Sequence, residues 1–281
     1  WSQWLEYFAW THERDFIVPT QRGTNWTDSD LHCASLGDPR VYTGASDEPG
    51  NMTVWHDNVR RAARDCRDQL VNAEIPIAAF NTKQNATDMA ALRHLLGLDQ
   101  WSIYGVSYGT RLGLTLMRHD PDGVSRAILD SLWPPAVIDH DGGVGALDQA
   151  IRHLIESCRA LPRCNANYPR LDMRFLEIVE QLRRQPLEYA AKSEDGVQTL
   201  HVMIDARLFL DIVFYGLYRW EYIELMPRMA HQFAMGDLMT FHGMATYYLF
   251  DEPYELMAHG MTTAVNCNDN SAFVDRDFLA R

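Results

Sequence analysis

A strand-turn-helix pattern around Ser107 constrains the fold of this chain more than any other feature. Residues 101–106 include good strand formers, and Gly105-Val106-Ser107-Tyr108-Gly109 then follows the pattern G-x-S-x-G. Leucines and a methionine predict a helix over 110–119. This order is typical of a nucleophile elbow, in which small glycines allow a sharp bend and the serine hydroxyl stands at the carboxyl end of the strand. The alternative is a glycine-rich turn with an ordinary surface serine.

The composition limits the classes of function. The chain has 281 residues, 47% of them hydrophobic, which suits one large domain or a domain with an insertion. Its 25 Lys and Arg against 38 Asp and Glu give a formal net charge of −13, which argues against nucleic acid or an anionic membrane as a partner. No run reaches the roughly 18 apolar residues of a transmembrane helix. No cofactor is expected.

The cysteines leave two interpretations open. They are Cys33, Cys66, Cys158, Cys164 and Cys267. None has C-x2-C spacing, so no metal site is expected. Disulfides Cys33–Cys66 and Cys158–Cys164 would leave Cys267 single, whereas the alternative is five reduced thiols in a cytosolic enzyme. Three sequons would carry glycans only in a eukaryotic secretory route; they are Asn25, Asn51 and Asn85.

The first half of the chain alternates between predicted strands and helices. Apolar runs predict strands at 15–20, 75–80 and 124–132, a turn at 21–24, and helices at 58–71 and 87–96. The residues of the second helix expected to face the core are Met89, Leu92, Leu95 and Leu96, and Gly97 is expected to end it. Such alternation favours a parallel sheet with right-handed crossovers.

The second half has a different pattern. Residues 146–260 show helical periodicity with little strand alternation, and the examples are 147–161, 173–184, 206–218 and 222–235. We expect this block to be a helical insertion that covers the carboxyl edge of the sheet. Residues 262–267 are then expected to return the chain to the sheet.

Several further motifs resemble one family. They read DFIVPTQRGT at 15–24, CRD at 66–68, FNT at 80–82, DMAALRHLLG at 88–97, AILDSLWPP at 127–135 and AVNCND at 264–269. With the elbow, they resemble the proline-iminopeptidase and tripeptidyl-aminopeptidase group of α/β-hydrolases, specifically over about 15–135 and loosely across the helical block. The resemblance implies an α/β fold, an α/β-hydrolase parallel sheet with a helical lid insertion. Its divisions would be 1–135 (core), 136–260 (lid) and 261–281 (return to the core).

The resemblance also implies an activity. It points to a secreted or periplasmic serine peptidase that removes residues from the free amino terminus of a peptide, without nucleic acid or membrane as a partner. The family places a His-Gly-Gly-Pro-Gly loop before the Gln-Arg-Gly turn, and its acid and histidine after the lid. Because this chain lacks those features at the matching places, we expect a fragment, incomplete at both ends. A complementary C-terminal segment would then supply the Asp and the His.

The predicted catalytic residues follow from the elbow. Ser107 is the candidate nucleophile, and the backbone N–H of Tyr108 is the candidate oxyanion donor at the start of a helix. A base and a carboxylate must activate the serine. Within the chain, His259 and Asp130 are the alternatives for these two roles, although the resemblance makes Asp130 structural.

An aminopeptidase also needs an acidic group for the ammonium of its substrate. The candidates are Glu221, Glu224, Asp211 and Asp269. The first three have an alternative role as solvated helix charges, and Asp269 has one as a cap on the segment that follows it. An aromatic run at 214–222 fits either an apolar substrate pocket or plain core. Two other functions stay open: a carboxylesterase on the same fold, and a catalytically inert binding protein.

Overall fold

The computed structural model describes residues 13–24, 27, 31–38, 41, 52–137, 139–251 and 257–270. The described chain is mixed α/β, as predicted. Its first elements are α1 (Met52–Asn72), α2 (Thr82–Leu95), β1 (Trp101–Val106), α3 (Tyr108–His119) and β2 (Val124–Asp130). The later elements are α4 (Asp139–Ala160), α5 (Pro162–Asn167), α6 (Leu171–Arg184), β3 (Leu187–Lys192), β4 (Thr199–Ile204), α7 (Ala206–Gly216), α8 (Trp220–Ala234), α9 (Met239–Thr246) and α10 (His259–Asp269). We call residues 52–137 the elbow region and residues 139–251 the helical region.

The elbow region contains the predicted parallel strand pair. β1 and β2 run side by side, with Tyr104 opposite Ile128. α3 packs against both strands and α2 packs against α3. A Cβ on Gly113 of α3 would meet the side chains of Leu129 and Ile103 at 3.1 and 3.2 Å, so helix and strands approach closely there. Among the described residues the outer face of β2 is open, and Ile128 is 56% exposed.

The ends of α2 follow the local sequence. The side chain of Asn81 caps the helix by accepting from the Gln84 N–H at 2.9 Å. Gly97 ends the helix with φ of 69°, and the N–H groups of Gly97 and Leu98 return to the carbonyls of His94 and Arg93. The predicted stop at Gly97 is therefore confirmed.

The predicted core face of α2 is correct only at its centre. Met89 is buried, but Leu95 and Leu96 are 84% and 48% exposed, so the prediction for these two leucines was wrong. Leu95 is the last residue of α2 and Leu96 is its C-cap, and helical spacing alone does not show how far along a helix its packing extends.

Two predicted strands do not form. Residues 15–20 have no regular structure and are exposed. Residues 77–79 form a single 3₁₀ turn, in which the Pro76 carbonyl accepts from the Ala79 N–H at 2.8 Å. An apolar run becomes a strand only beside another strand, and no described strand lies next to either segment. The predicted turn at 21–24 does form, with φ of 81° at Gly23.

The predicted return strand at 262–267 is also wrong, because these residues lie inside helix α10. Met261, Ala264 and Val265 have helical spacing and pack into a buried cluster with Leu31 and Phe80. The β-branched residues of this segment suggested a strand, but the i, i+3, i+4 spacing was the informative signal.

The helical region has its own large hydrophobic core. The four predicted helical segments correspond to α4, α6, α7 and α8. The largest fully buried side chains of this core include Ile178, Leu208, Phe209, Ile212, Met226, Met229, Phe241 and Met244. The sequence did not predict the antiparallel hairpin of β3 and β4, which pairs Leu187 with Ile204. Asp195-Gly196 at its turn, with φ of 70° at the glycine, was the available signal.

Both predicted disulfides are present. Cys33–Cys66 closes a sequence separation of 33 residues and Cys158–Cys164 one of 6, and Cys267 is free and exposed. Closing the longer loop contributes about 4 kcal/mol in the chain-entropy account. None of the helices in the described ranges is both long enough and apolar enough to cross a bilayer.

Candidate active site

The turn between β1 and α3 has the geometry of a nucleophile elbow. Ser107 is the single residue between strand and helix, with φ of 53° and ψ of −119°. This conformation is unfavourable for a residue with a side chain and costs on the order of 1–3 kcal/mol, so the surroundings must enforce it. Ser107 is exposed at the carboxyl end of the strand. The exposed serine predicted from G-x-S-x-G is therefore where the pattern places it.

The two motif glycines differ in what they allow. A Cβ on Gly105 would lie 2.4 Å from the carbonyl oxygen of Gly109, closer than any real contact, so strand and helix approach each other only because Gly105 has no side chain. A Cβ on Gly109 would meet nothing within 4 Å. The expectation that both glycines permit the bend therefore applies to Gly105 alone.

Backbone hydrogen bonds hold the elbow from the side of β2. The Ser107 N–H donates to the Asp130 carbonyl at 3.1 Å. The Ser107 carbonyl accepts from both the N–H and the hydroxyl of Thr110, at 2.9 and 2.7 Å, and the Thr110 hydroxyl in turn accepts from the Trp133 N–H at 2.8 Å. Within the described ranges the hydrogen bonds of Ser107 are made by its backbone, so its hydroxyl is left to solvent.

Tyr108 begins α3 directly after the serine. Its N–H belongs to the first turn of the helix, where backbone donors have no partner inside the helix and the dipole favours negative charge. Its phenol is held by two residues of α2: Asn85 donates to it at 3.1 Å, and the Thr82 hydroxyl lies 3.0 Å away. Burial raises the pKa of the Tyr108 phenol above its usual value.

Asp269 lies next to this group of residues. Its carboxylate accepts from the backbone N–H of Thr82 at 3.1 Å and also from the Thr82 hydroxyl. The sequence allowed Asp269 to cap the segment that follows it, but the described contacts of Asp269 instead cap the start of α2, which lies much earlier in the chain. Both carboxylate oxygens of Asp269 lie within hydrogen-bond distance of Thr82. These contacts do not test whether Asp269 also binds a substrate, so that role stays a prediction.

The other candidate acids lie in the helical region. Glu221 is 3.5 Å from Arg219, in the first turn of α8, and Glu224 is exposed one turn later. Asp211 of α7 forms an ion pair with Arg207, yet burial raises the pKa of Asp211 to about 6. The described contacts of these acids do not bring them to the elbow, and their role with an ammonium group stays a prediction.

The aromatic run at 214–222 is split between core and surface. Tyr215 packs against Tyr248 with ring centroids 4.8 Å apart, at the edge of the hydrophobic core. Tyr218 and Trp220 are 72% and 68% exposed. The alternative that the run is plain core is therefore wrong for these two residues.

The candidates for base and acid occupy different surroundings. His259 is buried in the first turn of α10, where its Cδ2 lies 3.4 Å from the position of a Cβ on Gly37. Asp130 ends β2, and its carbonyl is the acceptor for Ser107. Its carboxylate accepts from the Ser131 hydroxyl at 3.3 Å. In the ranges that the structure describes, no three His, Cys, Asp or Glu side chains are grouped as a metal site would require.

No family model matches the chain, and no curated protein matches it either. The function is therefore inferred from the geometry of the elbow and from the residues around it.

Sequence reasoning missed the polar residues that surround Tyr108. Asn85 is buried, and its amide donates to Gln21 and Tyr108 at 3.2 and 3.1 Å. The side chain of Asn85 is therefore not accessible for glycosylation in the folded protein. The helix predicted at 87–96 begins five residues earlier, at Thr82, so the prediction left Thr82 and Asn85 outside it. Asn81, a favourable N-cap residue, was the available signal for this earlier start, and the spacing of three residues places Thr82 and Asn85 on one face of the helix.

Proposed function

We propose that this chain is part of a serine hydrolase of the α/β-hydrolase fold, with Ser107 as the nucleophile. The observation that carries the proposal is the backbone of Ser107: positive φ, exposed, between a parallel strand and a helix. A surface serine in an ordinary turn needs neither this strained conformation nor a glycine that approaches the helix backbone within contact distance. Strain of this kind is retained where it serves to present a reactive group.

The chemistry follows from the position of the hydroxyl. A base removes the proton of Ser107 as its Oγ bonds to the substrate carbonyl carbon, and the oxygen of that carbonyl becomes negative. The N–H of Tyr108 is placed to donate to this oxygen, supported by the dipole of α3. The base then protonates the leaving amine, and water releases the acyl group from Ser107. We expect a complementary C-terminal segment to supply the histidine and the carboxylate.

The exposure of β1 and β2 supports additional strands in the assembled protein. Parallel sheets are almost always covered on both faces, since their connections place helices there. Here only one face is covered among the described residues, and Ile128 and Val106 are exposed. Further strands and helices of an α/β-hydrolase would bury them, with the helical region as the lid.

The substrate class comes from the resemblance in the sequence. We propose a peptide with a free amino terminus, whose ammonium group is bound by Glu221 or Glu224. Two disulfides support an oxidising compartment, because such bonds persist there and are rare in the cytosol, and we propose a secreted or periplasmic protein. No cofactor enters the proposed reaction.

The test compares an aminoacyl arylamide with its N-acetylated form, using the longest natural form of the protein. We expect the wild-type protein to cleave the free amine and not the acetylated form, and Ser107→Ala to cleave neither. Equal cleavage of the two substrates would instead identify an esterase-like hydrolase without an amine site. Cleavage that survives in Ser107→Ala would refute the proposal.

A further inference from the structure

We infer that Asp269 is a positioning residue for the elbow, acting on Tyr108 through the Thr82 hydroxyl. This inference rests on the proposed function, because the group it positions is the oxyanion donor. It assigns Asp269 a role different from binding the ammonium of a substrate.

The hydrogen bonds between these residues run in one direction. The Thr82 hydroxyl has a single hydrogen, and an ionised carboxylate accepts only, so that hydrogen goes to Asp269. The contact between Thr82 and Tyr108 at 3.0 Å must then be a donation from the phenol to Thr82. The phenol oxygen in turn accepts from Asn85. The charge of Asp269 therefore fixes the orientation of the Thr82 and Tyr108 hydroxyl groups. The series of hydrogen bonds that begins at Asp269 reaches Tyr108, the residue that follows the nucleophile.

Residues at the end of α10 also contact α3 and a residue just before α2, the two helices that Thr82 and Tyr108 connect. Asn268 donates to the Phe80 carbonyl at 2.9 Å, just before α2. Asn270 accepts from Arg111 of α3 at 2.8 Å. The Tyr108 ring also packs against the hydrophobic cluster to which α10 contributes. Residues 268–270 thus hold the start of α2 and the first turns of α3 at a fixed separation.

This contact complements the one on the side of β2. The bonds from Asp130 and Thr110 fix the backbone of Ser107 from the side of β2. On the side of α2, the first turn of α3 is held by the Tyr108 side chain through Thr82 and Asn85. Tyr108 is also the residue whose backbone is the proposed oxyanion donor. Its N–H must point to within about 3 Å of the oxyanion, and a small rotation removes most of the stabilisation.

The experiment uses Asp269→Asn and Tyr108→Phe, with Asp120→Asn as the matched control. Asp120 forms a buried pair with Arg93 at 3.0 Å, near the C-terminal end of α2, and has no contact with Tyr108 in the described structure. Hydrogen exchange of the Ser107 and Thr110 amides reports the opening of the elbow without any activity. We expect both amides to exchange about tenfold faster in Asp269→Asn and in Tyr108→Phe. In Asp120→Asn they should exchange at the wild-type rate, once any change in the free energy of global unfolding is taken into account.

Kinetics in the longest natural form separate positioning from amine binding. A positioning role lowers kcat on an aminoacyl arylamide and the rate of labelling by a fluorophosphonate, which has no amine, by a similar factor of about 10 with KM unchanged. A rise in KM with unchanged labelling would overturn the inference and make Asp269 the amine subsite. Unchanged amide exchange in both variants would also overturn it. A wild-type protein that neither labels nor cleaves would refute the proposed function, while the exchange rates would still decide the positioning role.

Discussion

The helical region and the elbow region are held together in different ways. In the helical region, aliphatic and aromatic side chains from five helices and a hairpin form a single buried cluster. In the elbow region the cluster under the strands has only Ala86, Met89 and Leu116 as buried members, and apolar side chains of β2 are exposed. Its geometry depends instead on backbone hydrogen bonds, on Gly105 and on the polar residues around Tyr108.

This difference predicts where substitutions change stability and where they change the reactivity of Ser107. Burial of apolar area stabilises the helical region without requiring any particular backbone strain. The elbow keeps an unfavourable conformation at Ser107, so it needs several specific contacts that agree with one another. Substitutions should therefore change stability most in the helical region, and change reactivity most at the elbow.

The largest effect on stability is expected from Ile212→Ala in the helical region. Ile212 is fully buried, so its truncation should lower the free energy of unfolding by about 2–5 kcal/mol. Ile128→Ala on the exposed face of β2 is the matched control, and in the 281-residue chain it should change that value by no more than about 0.5 kcal/mol. Urea denaturation measures both. Equal losses would show that β2 is covered in solution and would remove the contrast.

A smaller effect is expected from Gly105→Ala at the elbow. The new methyl group would meet the backbone of α3, and separating the two should cost about 1–3 kcal/mol and displace Ser107. Gly109→Ala should keep or slightly raise stability, because its Cβ meets open space and alanine favours a helix by about 1 kcal/mol. Thermal unfolding and fluorophosphonate labelling measure the pair. The account of the elbow fails if the two substitutions behave alike.

The smallest effect is expected from a pH dependence of stability within the helical region, at Asp211. Burial raises the pKa of Asp211 to about 6 although Arg207 opposes the shift, so the folded state holds this proton more tightly than the unfolded state. The contribution of Asp211 to stability is therefore lost as the pH rises from about 4 to about 6. Asp211→Asn should remove that loss, as measured by urea midpoints across the range.

Asp195 provides the control of opposite sign. Hydrogen bonds from Ser193 and from the Val197 N–H lower the pKa of this exposed carboxyl. Its contribution is present above the ordinary pKa of an aspartate and is lost as the pH falls. Asp195→Asn should therefore lower stability at pH values above about 4 and have less effect as the pH falls below that value. The same pH trend in both variants would contradict these assignments.

The sequence predicted the elements whose signals are local. The strand, turn and helix around Ser107, the stop at Gly97 and the helices of the second half each depend on neighbouring residues. The failures at 15–20 and 75–80 are of another kind, because a strand needs a partner that the run itself does not specify. At 262–267, β-branched residues conflicted with helical spacing, and tertiary packing of α10 against Leu31 favoured the helix.

The candidate site was predictable at its centre and not in its surroundings. Ser107 and Tyr108 follow from a five-residue pattern. Thr82 and Asp269 are 187 residues apart, and nothing in the sequence indicates that the Asp269 carboxylate caps the helix that begins at Thr82. Polar contacts between distant segments depend on the fold as a whole, which is why Asp269 had two open roles.

Fluorophosphonate labelling of the longest natural form of the protein tests directly whether the elbow presents the Ser107 hydroxyl for nucleophilic attack. Peptide mass spectrometry locates the modified residue. We expect a single adduct on Ser107 that is absent from Ser107→Ala. An adduct on any other residue, or no adduct in a preparation that cleaves the arylamide, would contradict this expectation.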